Sequence, residues 1–328
     1  MNALARPHSR QSLARTLKLQ QLTVFEKVIE AGSILSASRE LAMTQPAVSK
    51  AIHELERHLE AALFVRGKQG VVLTEFGREF EKHAKTMLAE LRHLADGLNA
   101  WQTGTAGQVI VGTLITASMT LLPEAIARLL EAAPNVTVEV RVGTNATLFP
   151  ALARGELDIV VGFLPAVSSP VLRREENTRL AHVTLYDEAL CAVVDCHHPM
   201  GRRRKLSLRA LHDMEWILPT QDSVAYQTAC AMFEQEHLEL PLRVLHSVSV
   251  LTNIGLLTRR PMVALMPLSA VEPFVKAGLV AILPLGALGI FGTVGYTVRA
   301  DRPPEAALRR LVAALQDAIP RSPDGSRK

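Results

Sequence analysis

The sequence predicts a protein of mixed class: an all-helical head finished by a small β-hairpin, a long connecting helix, and an α/β body of two lobes. Three observations predict it. Short helical patterns punctuated by Gly32 and Thr44 fill the first quarter of the chain, and an apolar repeat of period 3.5 runs from Phe76 to Trp101. Beyond Gly107, strand-like and helix-like runs alternate. The chain has 328 residues, 48% of them hydrophobic, which is enough for several cores; aromatics are only 4%, so those cores must be built from Leu, Val, Ile and Ala.

In the head, Leu22, Phe25 and Ile29 recur at spacings of three and four from Leu19, one face of an amphipathic helix that stops at Ala31-Gly32. Ser33 reads as the N-cap of a short helix from Ile34 to Leu41. Thr44 caps a third helix with Pro46 in its first turn, where a missing N–H costs little. Val48, Ile52, Leu55 and Leu59 form that helix's buried stripe, leaving Gln45, Ser49, Lys50 and His53 outward. Arg66-Gly67-Lys68-Gln69-Gly70 reads as a tight turn between Leu63–Val65 and Val71–Leu73. Two helices, a tight turn, an outward polar face and a hairpin make a winged helix-turn-helix over residues 18–75, whose second helix enters a major groove. Gln pairs bidentately with adenine, Ser contacts base or phosphate, and Lys reaches guanine or phosphate. Charge agrees: residues 1–74 hold ten Lys/Arg and six Asp/Glu, whereas the remaining 254 hold 26 of each, so all of the formal excess of +4 sits in the head. Residues 1–17, with Arg6, Arg10 and Arg15, are expected to be a disordered basic extension.

For residues 76–102 the residues Phe76, Phe80, Ala84, Met87, Leu91, Leu94, Leu98 and Trp101 alternate spacings of four and three, the pattern of a coiled-coil seam. A dimer joined there presents two heads to two half-sites; the alternative is a long helix packed on its own domain. Thr103-Gly104-Thr105-Ala106-Gly107 is a small-residue hinge.

The body, residues 108–320, reads as strand Val109–Val111, helix Leu121–Leu130, strand Val136–Val142, helix Leu148–Ala153 and strand Ile159–Gly162, which argues for a largely parallel sheet. The first lobe is expected over about 108–184 and 286–320, the second over about 185–285. The second contains strand Leu190–Val194, helix Ser207–Leu211, strand Trp216–Leu218, helix Ala225–His237 and strand Val263–Met266; helix Glu305–Ala318 ends the first. Ligands in open α/β sheets bind beyond the carboxyl ends of strands, near helix N-termini. Thr116, Ser118 and Thr220 occupy such places, and Asn145, Thr147 and Phe163 can line the same cleft; Asp222 reads as a helix cap.

Other signals are read as structure. Cys191, Cys196, His197 and His198 would be scattered over both faces of a strand, so no metal site is expected. Gly286, Gly289, Gly292 and Gly295 suggest a flexible inter-lobe connection, and Arg202-Arg203-Arg204-Lys205 a solvated turn. No run approaches the roughly 20 apolar residues of a membrane span. Three cysteines without framework spacing fit reduced thiols in a cytoplasm. No nucleophile, base and orienter can be argued together, so no catalytic residues are expected. A cytoplasmic solute-binding protein would explain the body but not the head; an enzyme would need groups that are not visible.

The run from Thr44 to Glu56, with Leu63-Phe64-Val65-Arg66 and Leu73-Thr74-Glu75-Phe76-Gly77, resembles the DNA-binding head of LysR-type transcriptional regulators. The body run from Gly155 to Gly162 and His198-Pro199-Met200 are similar to that family's effector domain, an architecture like that of periplasmic solute-binding proteins. Within the family, the chain resembles regulators of protocatechuate catabolism and of sugar-binding-protein operons. The resemblance implies that Gln45, Pro46, Ser49 and Lys50 meet base edges or nearby phosphates, and that Ser33, Thr44, Arg66 and Lys68 hold the backbone. It also implies promoter DNA as partner, a small-molecule inducer of unassigned identity in place of a cofactor, self-association as dimer and tetramer, and contact with RNA polymerase.

Overall fold

The computed structural model describes residues 9–67, 70–103, 107–114, 119–165, 179–221 and 223–319. Its chain divides into two units, the head with its connector helix and the α/β body. The head opens with α1 (Arg10–Thr16), capped by Ser9, whose hydroxyl accepts from the Ser12 amide at 3.1 Å. Residues 9–17 are therefore not the disordered extension expected from their charge. Leu13 and Leu17, four apart, pack against the head's core and supply the apolar edge that a tail would lack. Next come α2 (Leu19–Ala31), α3 (Ile34–Glu40) and α4 (Gln45–His58). Gly32 closes α2 at φ +66, and Ala42 makes the α3–α4 turn at φ +50, a left-handed conformation that an alanine adopts only under constraint. Val48, Ile52 and Leu55 of α4 meet Leu22, Phe25 and Val28 of α2, all buried.

The hairpin pairs β1 (Phe64–Gly67) with β2 (Gly70–Leu73) in the register Phe64↔Leu73 to Gly67↔Gly70. Gly70 sits at φ +120 because β2 runs against the end of α2: the Val71 amide donates to the Gly32 carbonyl at 3.1 Å, and a Cβ on Gly70 would collide with that oxygen. Helix α5 (Glu75–Thr103) begins where the Thr74 hydroxyl accepts from the Gly77 amide at 2.8 Å and donates to the Ala62 carbonyl at 2.7 Å. The apolar repeat of α5 divides in two. Phe80, Ala84 and Met87 pack into the head of their own chain, with Phe80 and Phe64 on either side of Phe25, ring centroids 5.2 and 5.3 Å away. Phe76, Leu91, Leu94 and Leu98 are exposed by 39–58%. The expected seam is thus shorter than its periodicity, because a heptad repeat does not distinguish its own domain from a second chain.

The body runs β3 (Gly107–Thr113), α6 (Leu121–Ala132), β4 (Val136–Val142), α7 (Asn145–Ala153), β5 (Ile159–Phe163) and β6 (Leu180–Asp195). It continues through β7 (Glu215–Leu218), α8 (Val224–Gln235), β8 (Val244–His246), α9 (Val250–Leu257), β9 (Met262–Pro267) and α10 (Leu268–Lys276). Then follow β10 (Val280–Ile282), β11 (Ile290–Arg299) and α11 (Ala306–Asp317). Residues Leu208–Leu211, expected as a helix, make a single 3-10 turn. The strand order is β4-β3-β5-β11-β6-β9-β7-β8, with β10 on β6. β3, β4 and β5 are mutually parallel, as are β7, β8 and β9, but β6 and β11 run antiparallel to their neighbours through the middle. The sheet is therefore mixed rather than largely parallel.

Half of the glycine run read as a flexible connection, Gly292 and Gly295, lies within β11. Gly292 lies under the Phe163 ring, which a Cβ would approach to 2.9 Å, and Gly295 lies on the Val183 carbonyl. These glycines permit close packing and do not loosen the chain. Sixteen-residue β6 serves both lobes. Ala189 still pairs with Ile290 in the first lobe, and Leu190 pairs with Pro267 in the second, so the crossing falls later than the expected Leu185. Helices cover both faces of each half. In the first lobe, α6 and α11 bury one face with Val109, Val111 and Ile159, and α7 the other with Ile110 and Val160. In the second, α8 packs on Trp216 and Val263, while α9 and α10 pack on Ile217 and Ala264. Asp158 ties β5 to β3 by accepting the Ile110 amide at 2.7 Å. Buried Glu188 holds the start of α10, accepting from the amide and hydroxyl of Ser269 at 2.9 and 2.6 Å. Among the described residues no helix is long and apolar enough to cross a membrane.

Candidate nucleic-acid interface and ligand cleft

Helix α4 buries Val48, Ile52 and Leu55, and its 3.6-residue period turns Gln45, Lys50 and His53 outward. Thr44, Gln45 and Pro46 are exposed at its N-terminal end. Lys50 is extended into solvent, its side chain 78% exposed and Nζ 4.0 Å from Glu54. Ser49 is half-buried, and its carbonyl lies 2.7 Å from Nδ1 of His53. The hydroxyls of Ser33 and Thr44 cap α3 and α4 by accepting the Ser36 and Ala47 amides at 3.0 and 3.4 Å. Both therefore stand at helix N-termini, where the backbone dipole favours an anion. Arg66 lies in β1, opposite Val71. Lys68 lies outside the described residues. Lys27, by contrast, is taken up by Glu30 and Glu40 at 2.5 and 3.4 Å, and its hydrogen bond to Glu30 raises its pKa.

A further residue positions this surface. One oxygen of Glu56 accepts both the Leu63 and Phe64 amides, at 2.9 and 3.2 Å, and so holds the wing to the recognition helix. Its place in the Thr44–Glu56 run was visible in sequence; its partners, seven and eight residues on, were not.

In the body, the parallel strands β3 and β5 end side by side at Thr113 and Phe163, and Asn145 opens α7 just beyond β4. Asn145 is half-buried and its Oδ1 is buried with no hydrogen-bond partner among the described residues. Thr147 is taken up locally: its hydroxyl accepts the Thr144 amide at 3.1 Å. Thr220 follows β7 in the second lobe, its carbonyl accepting the Ser223 amide and hydroxyl at 3.0 and 2.6 Å. Ser223, not Asp222, is the N-cap of α8. Thr116, Ser118 and Asp222 lie outside the described residues.

Two contacts join the lobes at these strand ends. The Phe163 ring packs on Phe291, centroids 5.2 Å apart, and Phe291 in turn meets the second lobe's core. Met119, between β3 and α6, packs against the other second-lobe cluster. Phe291 and Met119 were not anticipated, since neither carries a polar group that would mark it. A pocket of about 650 Å³ lies along the crossing strands, lined by Thr184, Tyr186 and Asp187 of β6 and by Ala287, Gly289 and Ile290. None of the predicted ligand residues lines it.

Residues 102–320 match the family model of the LysR substrate binding domain, and residues 19–78 match that of the bacterial regulatory helix-turn-helix protein, lysR family. The regulator PcaQ of Agrobacterium fabrum is 29% identical over 310 residues, 94% of this chain and 97% of its own. GbpR of Azospirillum brasilense is 28% identical over 307 residues, 93% and 88% of the two chains. The fold is similar to that of full-length CbnR, solved with its target DNA, at a TM-score of 0.66 and 20% identity, covering 92% of this chain and 100% of that one.

Proposed function

This chain belongs to the LysR family of transcriptional regulators, and from that premise we propose where it reads DNA and where it takes its inducer. It is a DNA-binding regulator with a C-terminal effector-binding domain. Gln45, Ser49 and Lys50 read base edges or adjacent phosphates, with Pro46 in contact beside them. Ser33, Thr44, Arg66 and Lys68 hold the backbone on either side. The observation that carries this reading is the polar outer face of α4, exposed opposite a stripe buried to 2% or less. One well-made bidentate contact discriminates among bases by about 1–3 kcal/mol. Exposed Leu91, Leu94 and Leu98 join two chains, dimers pair into a tetramer on bent cytoplasmic promoter DNA, and RNA polymerase is contacted there.

The inducer lies between the lobes at the carboxyl ends of the strands, against Asn145, Phe163 and Thr220, and Thr116 and Ser118 are its further expected contacts. The unpartnered Oδ1 of Asn145 asks for a donor, the Phe163–Phe291 pair offers an apolar wall, and the helix N-termini favour a carboxylate. A small aromatic acid or a sugar suits that mixture. The inducer acts by binding one arrangement of the lobes more tightly than another.

The test is a footprint on the protein's own upstream DNA with Gln45→Ala and Ser49→Ala. The reading requires two phased protected sites, relaxed in base preference by either substitution. Lys50→Ala should instead lower the salt slope of binding by about 0.9 if Lys50 meets phosphate. Absence of protection at low salt, with variants and wild type alike, would overturn it.

A further inference from the structure

Of Cys191, Cys196, His197 and His198, which strand alternation was expected to scatter, Cys191 and His198 lie apart, but Cys196 and His197 come together. The Cys191 thiol is buried, donates to the Met266 carbonyl at 3.3 Å, and is pushed up to about 12, chiefly by burial. Strand β6, however, stops at Asp195. The His198 amide donates to the Asp195 carbonyl at 3.0 Å, which makes a turn of the next residues. Within it the His197 amide donates to Oδ1 of Asp195 at 2.8 Å and draws the carboxylate over the turn. Nδ1 of His197 then lies 3.1 Å from Sγ of Cys196 and 3.3 Å from Oδ1 of Asp195. All three donor atoms fall within 4.8 Å of one another. His198 stays out of the group, its own Nδ1 accepting the Met200 amide at 3.3 Å.

Three electron-rich atoms thus converge on one point at the protein surface. A thiol proton on Sγ would leave Nδ1 and Oδ1 as lone pairs facing, and a proton on Nδ1 would have to be shared between Oδ1 and Sγ. A cation satisfies all three. A tetrahedral ion held at about 2.0–2.3 Å by nitrogen, oxygen and sulfur sets its ligands roughly 3.3–3.6 Å apart: the Nδ1–Oδ1 separation of 3.3 Å fits, and the Nδ1–Sγ separation of 3.1 Å has to open by about 0.4 Å. The mixed S/N/O set suits a borderline-soft ion and not magnesium or calcium, which take oxygen.

We propose that Asp195, Cys196 and His197 form a site for a thiophilic divalent cation of the zinc class, with water completing the coordination. Binding breaks the Cys196 Sγ–H bond, forms an Sγ–metal bond and releases that proton to solvent; no oxidation state changes. Asp195 pairs with Val280 of β10, and the site therefore caps the second-lobe end of the strand that serves both lobes.

The experiment titrates the reduced, chelator-treated full-length protein with Co²⁺. The site predicts a sulfur-to-cobalt charge-transfer band with the strong visible bands of tetrahedral cobalt, bleached by Zn²⁺, with one proton released per ion. Cys196→Ser should abolish the charge-transfer band. Changing groups that only orient a ligand costs about 10–100-fold in affinity, so removing a direct ligand by Cys196→Ser or His197→Gln should weaken Zn²⁺ at least about 100-fold. Cys230→Ser should leave both readouts unchanged. Cys196→Ser and His197→Gln fall on a surface turn and Cys230→Ser on α8, and an unchanged circular dichroism spectrum confirms the fold. No charge-transfer band in the wild type at saturating Co²⁺, or one that survives Cys196→Ser, overturns the proposal.

Discussion

Glu56 offers the sharpest test of how the DNA-reading surface is assembled. Replacing it with Ala removes the acceptor of two amides at once, Leu63 at 2.9 Å and Phe64 at 3.2 Å. Leu63 is fully buried, so its N–H would lose its partner where water does not reach; such an orphan costs about 1–3 kcal/mol. Phe64 is half-buried and can recruit water, so its loss adds at most about 1 kcal/mol. The expected sum is about 1–4 kcal/mol, or roughly 5–900-fold in the opening equilibrium of the wing. Glu56→Gln keeps a carbonyl oxygen in the same place and should lose less than half of that. Amide hydrogen exchange over residues 63–64 reads the effect locally, and operator affinity reads its consequence. Wild-type protection in the Ala variant, or equal loss in Ala and Gln, would refute the argument that this oxygen aligns wing and helix.

Ala42→Gly relieves a left-handed alanine worth about 1–2 kcal/mol, against about 0.4–1 kcal/mol of added unfolded-state freedom. Thermal unfolding should show a gain of up to about 1.6 kcal/mol, and a loss would mean that the turn is not strained. Joint replacement of Leu94 and Leu98, exposed by 58% and 56%, with Glu should give a folded monomer in sedimentation. Persistence of the wild-type mass would place self-association elsewhere. Desolvation holds His182 below its ordinary value near 6.5, with Nδ1 2.8 Å from the Thr297 hydroxyl, so the fold favours the neutral ring. That stabilisation is complete above the unfolded value and is lost as pH falls below it towards the folded one. Melting temperature should drop more for the wild type than for His182→Gln between about pH 7.5 and 5.5; equal drops would discount the imidazole.

What was legible in the sequence was local. The stripe Val48–Ile52–Leu55 fixes the orientation of α4 by spacing alone, and Gly32, Ser33 and Thr44 mark helix ends by chemistry that acts within four residues. What was not legible depends on partners distant in sequence. Gly70 looks like a turn glycine, but its backbone is set by the carbonyl of Gly32. Gly292 and Gly295 look like slack until Phe163 and Val183 are brought against them. Short α9 is apolar on most sides and α10 carries Pro273, so neither announces a helix. Asn145, Phe163 and Thr220 can be proposed from strand ends, whereas Phe291 on β11 carries no polar group that would mark it. The grouping of Asp195, Cys196 and His197 was not visible because it is made by the turn that follows β6.

The central place of β11 has a consequence for how the protein is made. It fills the slot between β5 and β6, yet it leaves the ribosome only after the whole second lobe has been synthesised. Until then the first lobe has two unpaired strand edges at its centre, with the Phe163 side of β5 and the Val183 side of β6 open to any other extended chain. The second lobe has every strand it needs before β11 emerges, apart from the Phe291 and Leu288 contacts that dock later. Translation order therefore makes the second lobe the earlier to close, and the final antiparallel strand the step that seals the first.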